Sequence, residues 1–154
     1  FMEQRADSGV AAPVFGASST PASDIFIKTL GEDLVDGTLV NLVWIPQVGG
    51  EAGARFADKY AEAFGSSPSD LEAQAYDGFQ MVLEALGKVT DIDASAIAEA
   101  MLEVEIDGLR GPRQSFDDAR HGIPNLSFVI GQIQDGAYKV VWPSDQAQSQ
   151  VILD

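Results

Sequence analysis

The stretch that decides the fold is Val10–Pro46, VAAPVFGASSTPASDIFIKTLGEDLVDGTLVNLVWIP. Val10–Gly16 is short, apolar and partly β-branched, which predicts a buried strand, and Thr38–Ile45 predicts a second strand by the same pattern. Between them, Thr20 and Pro21 are typical of the first residues of a helix. The order strand, helix, strand predicts a βαβ unit and therefore a parallel sheet.

Two amphipathic helices are predicted after this unit. Phe56–Gly65 carries an aromatic residue at every fourth position and ends in glycine, as expected of one helix. Ser67 and Pro68 predict the N-cap and first residue of the next helix. Its predicted core stripe consists of Leu71, Ala75, Phe79, Val82 and Leu86.

The remainder of the chain is predicted to contain one more helix, Ala94–Val104, and then mostly strand and turn. Ile106–Pro112 predicts a turn-rich connection. Ser127–Gln134 and Ala137–Trp142 predict two strands joined by a tight Asp-Gly turn, the sequence typical of a hairpin. The polar run Ser144–Gln150 predicts a linker.

Composition excludes some functions at the outset. The chain has 154 residues, 24 Asp and Glu, 9 Lys and Arg, and a formal net charge of −15. Such a charge repels phosphate, so we expect no nucleic-acid partner. There is no Cys, which excludes disulfides, thiolate metal sites and a thiol nucleophile. We expect no cofactor and no metal. We also expect no membrane span, because there is no apolar run of about 18 residues.

The best candidate for a binding site is the hydroxyl-rich segment Ser18-Ser19-Thr20, between the first predicted strand and its helix. Ligands of open α/β sheets bind beyond the carboxyl ends of strands, and hydroxyls with free helix N–H groups suit a carboxylate or another small anion. The same residues are equally well explained as helix caps. An α/β hydrolase using Ser18 or Asp117 is a weaker alternative, because the chain has no Gly-x-Ser-x-Gly motif.

The order of motifs along the chain carries a family resemblance. The predicted aromatic helix is followed by Pro68 and by Ala75-Tyr76-Asp77-Gly78, and later by Leu109-Arg110-Gly111, Phe116-Asp117 and the Asp-Gly hairpin. This order resembles the type I periplasmic solute-binding proteins of ABC transporters, of the branched-chain amino-acid (Leu/Ile/Val) type.

The resemblance implies an α/β fold in which helices flank parallel sheets in two hinged lobes. It covers only the C-terminal part of such a protein, so we expect an incomplete fold that needs the N-terminal remainder of the same protein. Residues 1–48 are then the end of lobe two, and residues 49–126 are the C-terminal helices and strand of lobe one. Residues 127–154 are the hinge crossing and C-terminal hairpin.

The function implied by the resemblance is reversible capture of a small organic solute, without chemistry, for the membrane permease of an ABC importer. The solute would be an amino acid, an organic acid or an amide. The implied location is periplasmic, or extracellular as a membrane-anchored lipoprotein, reached through a signal peptide. A ligand-sensing regulatory or receptor domain of the same fold is the alternative.

The resemblance also implies which residues bind the ligand. They are Ser18, Ser19 and Thr20 in the loop of lobe two, with Leu71 and Tyr76 in a helix of lobe one. Classical amino-acid binders carry an acid in that loop for the ligand ammonium, whereas this chain offers hydroxyls there. Tyr76 and the neighbouring Asp77 are equally well explained as packing and capping residues.

Overall fold

A computed structural model describes residues 1–17, 24–46, 48–117 and 128–153 of the chain. The helices are α1 (Met2–Asp7), α2 (Asp24–Leu30), α3 (Glu32–Val35), α4 (Gly50–Phe64), α5 (Asp70–Leu86) and α6 (Ala94–Met101). The strands are β1 (Phe15–Gly16), β2 (Leu39–Leu42), β3 (Glu105–Gly108), β4 (Gly111–Ser115), β5 (Val129–Gln134) and β6 (Ala137–Trp142). None of the helices in these described ranges has the length and apolar character needed to cross a bilayer.

The described residues belong to two units, Phe1–Val43 with Phe128–Asp154, and Trp44–Ser127. The first unit contains a four-stranded sheet in the order β1-β2-β5-β6. β1 pairs parallel to β2, while β5 pairs antiparallel to both β2 and β6. The predicted parallel pair and the predicted hairpin are therefore both confirmed. The hairpin turn places Asp135 and Gly136 at φ values of +53° and +71°, which is why this dipeptide suits it.

The first predicted strand is wrong in its extent and burial. Only Phe15 and Gly16 form β1, and the Phe15 side chain is 52% exposed. β1 is the first strand in the sheet order, so only β2 pairs with it in the described part of the chain. The main-chain pairing extends back to Val14, whose carbonyl accepts a hydrogen bond from Leu39 N. Pro13, one residue earlier, has no N–H to offer a ladder.

The core of this unit lies between α2, α3 and the hairpin. Ile27, Val35 and Ile133 are buried together, and Phe26 and Tyr138 pack against them. Burial raises the pKa of the Tyr138 hydroxyl well above its ordinary value, and the charge of Asp24 raises it further.

The Trp44–Ser127 unit begins with the two predicted helices. α4 ends at Gly65, whose φ of +69° is the left-handed conformation expected of a helix C-cap. α5 begins later than predicted, because Ser69, not Ser67, is its N-cap. The Ser69 side chain accepts from Leu71 N, and the Glu72 carboxylate accepts from Ser69 N at 2.7 Å, which completes a capping box.

The predicted core stripe of α5 is also wrong. Its buried residues are Ala73, Asp77, Met81 and Ala85, spaced four apart, whereas Leu71, Phe79 and Val82 are exposed. α5 packs against α6 and β3, where Met81 and Ala85 are buried with Ala100 and Val104. Ala73 is buried in another cluster, with Trp44 and Leu109. The largest apolar side chains of the helix lie elsewhere on its surface.

The turn-rich connection predicted over Ile106–Pro112 is a second sheet. β3 and β4 pair antiparallel, with Glu105 opposite Ser115 and Gly108 opposite Gly111. The polar run Ser144–Gln150 is likewise not a free linker, because Gln148 N donates a 2.7 Å hydrogen bond to the Val140 carbonyl of β6.

Candidate functional site

The predicted hydroxyl segment comes shortly after the parallel strand β1 in the chain. β1 ends at Gly16 and is followed by Ala17, whereas Ser18, Ser19 and Thr20 lie outside the described residues. Their role as ligand contacts stays a prediction. The described geometry supplies one relevant fact, which is that β1, the strand before this segment in the sequence, is paired parallel to β2.

Leu71 lies in the first turn of α5, and 51% of its surface is exposed. The capping box fixes the main chain at this point. Although partial burial favours the protonated form of Glu72, the hydrogen bonds from the Ser69 hydroxyl and backbone hold the pKa of Glu72 below its ordinary value. Leu71 is therefore an exposed apolar side chain on a rigid helix start.

Asp70, beside Leu71, is a polar residue that the sequence analysis did not select. Its Oδ1 atom is buried and accepts no hydrogen bond within the part of the chain that the structure describes. Burial raises the pKa of this carboxyl above its ordinary value of 3.8. A carboxylate with an unused acceptor thus lies next to a predicted ligand-contact residue.

We expect Asp70→Asn to raise the free energy of unfolding at neutral pH, by less than about 1 kcal/mol because the carboxyl is only half-buried. A raised pKa means that the folded chain disfavours the ionised form, so stability falls as the pH rises through 3.8 to the raised value. The amide is free of that penalty, and the gain should vanish below pH 3.8. Urea denaturation at pH 7 and pH 3 measures both.

Asp93→Ala is the control with the opposite sign. Hydrogen bonds from Ser95 and Ala96 hold the pKa of Asp93, the N-cap of α6, below its ordinary value. Its contribution is therefore present above the ordinary pKa and is lost as the pH falls. A loss of stability for Asp70→Asn at pH 7 would contradict the claim that burial disfavours the ionised form of Asp70.

Tyr76 lies on a different side of α5 from Leu71. The two residues are five positions apart, which corresponds to roughly 140° around a helix axis. The Tyr76 ring is 44% exposed and contacts the Phe56 ring of α4, with the ring centroids 5.1 Å apart. The structure therefore does not bring Leu71 and Tyr76 onto one face.

Tyr76 lines a groove of about 610 Å³ in the Trp44–Ser127 unit. Its α4 side carries the cations Arg55 and Lys59. Carboxylates come from the other elements, namely Glu84 of α5 and Glu105 and Asp107 of β3. Phe56, Tyr76 and Leu109 supply its apolar surface. The volume falls in the range of small-molecule sites, and the mixed charges suit a ligand or a peptide that carries both signs.

Asp77, at the base of this groove, has a structural role. Its buried carboxylate accepts hydrogen bonds from Leu109 N at 2.7 Å, Arg110 N at 3.1 Å, Arg110 Nε at 3.2 Å and Gln114 Nε2 at 2.8 Å. The Arg110 side chain is almost fully buried beside it. This network ties the β3–β4 hairpin to α5, and it leaves Asp77 no free acceptor for a ligand.

The described residues contain no group of three His, Asp or Glu side chains that would hold a metal ion. Of the two residues named for a hydrolase, Ser18 lies outside the described residues. Asp117 is described and already interacts with another group of the chain.

Comparison with known proteins begins with the family model described as periplasmic binding protein, which residues 1–137 match. A Leu/Ile/Val-binding protein homolog of Brucella abortus is 31% identical over 101 residues, which are 64% of this chain. Those residues span 25% of that relative's length, so the chain covers about a quarter of it.

Solved structures share the fold. A leucine-binding protein from Thermotoga maritima matches with a TM-score of 0.75 and 21% identity, over 90% of this chain and 39% of that chain. A solute-binding protein of an ABC transporter from Rhodopseudomonas palustris, in complex with 3,4-dihydroxybenzoic acid, matches with a TM-score of 0.72 and 24% identity, over 90% and 39%. The mixed α/β, type I periplasmic-binding-protein fold expected from the resemblance is confirmed. The chain belongs to the periplasmic binding protein family.

Proposed function

We propose that this chain is part of the extracytoplasmic solute-binding component of an ABC importer. This component binds a small organic solute reversibly and does not change it chemically. The observation that carries the proposal is the family match over residues 1–137. The family consists of solute-binding proteins rather than enzymes and implies an extracytoplasmic location. The proposed partner is the membrane permease of the importer.

The proposed ligand is a small carboxylic acid, with or without an amino group. The relatives are named for leucine, for leucine, isoleucine and valine, or for a complex with a dihydroxybenzoic acid, and all of these solutes carry a carboxyl group. We assign the carboxylate to Ser18, Ser19 and Thr20, because hydroxyls and free N–H groups after a parallel strand suit an anion.

Leu71 and Tyr76 are the proposed contacts from the second unit. Leu71 supports this role by being an exposed apolar side chain whose main chain is fixed by the capping box. Tyr76 keeps nearly half of its surface accessible and lines the groove. We propose further that residues 1–48 are the end of lobe two and that residues 49–126 are the C-terminal helices and strand of lobe one. Residues 127–154 are then the hinge crossing and C-terminal hairpin. The two units of the structure support this division.

Thermal denaturation of the whole gene product with a panel of solutes tests the proposal. We expect leucine or an aromatic acid to raise Tm, since a ligand at a hundred times its Kd adds about 2.7 kcal/mol to the free energy of unfolding. The matched amide and alcohol should have a smaller effect. A panel of amino acids and organic acids without any stabilising member would contradict the proposal.

Leu71→Ala should weaken binding of the active solute about tenfold, which is the expected effect of removing roughly 1.4 kcal/mol of apolar contact. Leu102→Ala is the matched control, because Leu102 is a half-exposed leucine at the end of α6 and outside the proposed site. Uptake of the labelled solute separates an importer component from a sensor domain, since only the former is needed for uptake.

A further inference from the structure

The side chains of three glutamines, Gln132, Gln134 and Gln148, join the segment 146–153 to the sheet of the first unit. β6 is the last strand of that sheet in the described residues. Gln148 bonds both main-chain groups of Val140 in β6. Its N–H donates to the Val140 carbonyl at 2.7 Å, and its Oε1 accepts from Val140 N at 2.9 Å. Gln148 thus takes the place of a neighbouring strand at this point of the edge.

The side chain of Gln132 in β5 likewise bonds both main-chain groups of Ile152. Its Oε1 accepts from Ile152 N at 2.9 Å, and its Nε2 donates to the Ile152 carbonyl at 2.6 Å and to the Gly37 carbonyl at 2.9 Å. Gln134, on the same face of β5, donates to the Gln150 carbonyl at 2.8 Å. Gln132 and Gln134 are buried, so these amides have no water to replace a lost partner.

The segment is held without any charge. Residues 146–153 read QAQSQVIL and contain none of the ionisable residues of a chain whose net charge is −15. Its contacts are hydrogen bonds between neutral groups, which salt screens little. Changes in ionic strength should therefore leave its attachment unchanged.

The strand beneath the segment is prone to pair with another strand. β6 reads AYKVVW and is rich in aromatic and β-branched residues. Its one charge, Lys139, is paired with Asp135 at 2.7 Å. An exposed edge of this kind is a template for strand addition, and two copies of β6 can pair antiparallel about a two-fold axis.

We infer that residues 146–153 form a detachable strap that covers the edge of β6 and prevents a second copy of this chain from adding to the sheet. Gln148 covers the edge itself. Gln132 and Gln134 hold the far end of the strap across the face of the sheet. The strap is an autoinhibitory contact, because its release uncovers a self-complementary edge.

The test compares the parent chain with the double variant Gln132→Leu, Gln148→Ala. The variant removes both side-chain amides and leaves the main-chain N–H of residue 148 as that residue's one remaining bond to Val140 in the described structure. The matched control is Gln146→Ala, since Gln146 is exposed and, among the residues that the structure describes, bonds only through its main-chain N–H, to the Pro143 carbonyl. Light scattering should give twice the monomer mass for the double variant, and the monomer mass for the parent and control. The dimer fraction should rise with salt, because salt screens the repulsion between two acidic copies.

Hydrogen exchange shows whether the strap is released and whether β6 forms the dimer contact, which the mass alone does not show. In the parent, the amides of Val140, Gln148 and Ile152 should be protected, and protection of Gln148 and Ile152 should fall at least about fivefold in the double variant. The inference is overturned if the double variant stays monomeric, whether or not its strap is released, or if it dimerises with residues 137–142 unprotected. If the double variant fails to fold, Gln148→Ala alone must produce partial dimerisation, and a purely monomeric single variant also overturns the inference.

Discussion

Asp77→Ala should cost about 3–5 kcal/mol of the free energy of unfolding of the Trp44–Ser127 unit, the usual result of removing one partner of a buried ion pair. The substitution leaves the Arg110 guanidinium buried without its carboxylate. It also leaves Leu109 N, Arg110 N and Gln114 Nε2 without their acceptor. Each unpaired buried donor adds its own desolvation cost.

Urea denaturation followed by circular dichroism measures this loss. Glu84→Ala is the matched control, because Glu84 is an exposed acid on the same helix, and we expect it to change stability by less than about 0.5 kcal/mol. Asp77→Asn should lie between the two, since the amide keeps one acceptor but loses the charge. Equal midpoints for Asp77→Ala and Glu84→Ala would show that the network contributes nothing.

The role of Asp77 illustrates what a sequence can and cannot predict. Family resemblance selects the Tyr76-Asp77 pair, but an acid in the middle of a helix is ordinarily a solvent-exposed residue. Its donors are 32 to 37 residues further along the chain, where the sequence indicates only turns. No local pattern connects the two segments. The β3–β4 hairpin was missed for the same reason, because a side chain of α5 helps to hold it.

The elements that were predicted correctly are those that local chemistry determines. The Asp-Gly turn needs positive φ at both residues, and the structure has it at Asp135 and Gly136. Gly65 ends α4 because a left-handed C-cap suits glycine. The parallel pairing of β1 and β2 follows from the strand-helix-strand order.

The candidate site shows a different limit. Leu71 and Tyr76 were selected by their positions in a family motif, which does not say which face of the helix each occupies. The sequence does not single out Asp70, because its pattern places the N-cap of this helix at Ser67. The capping box begins at Ser69, with Glu72 as its acid, so the buried oxygen of Asp70 is not used in the cap.

The face of α5 that contributes to stability can be tested with two large apolar residues of the same helix. Met81 is fully buried against Ala85, Ala100 and Val104, whereas Phe79 is 71% exposed. Met81→Ala should therefore cost about 2–5 kcal/mol, because it removes buried methylenes and leaves a cavity.

Phe79→Ala should change the stability of this chain by no more than about 0.5 kcal/mol, although phenylalanine is the larger side chain. The variants Met81→Ala and Phe79→Ala distinguish the predicted apolar stripe of α5 from its observed buried face, since the stripe includes Phe79 and omits Met81. Denaturation midpoints of both variants at one pH give the comparison. A larger loss for Phe79→Ala would mean that the apolar stripe, and not the Ala73–Ala85 face, packs the helix. That result would also contradict the buried position of Asp77, which lies on the same face as Ala73 and Ala85.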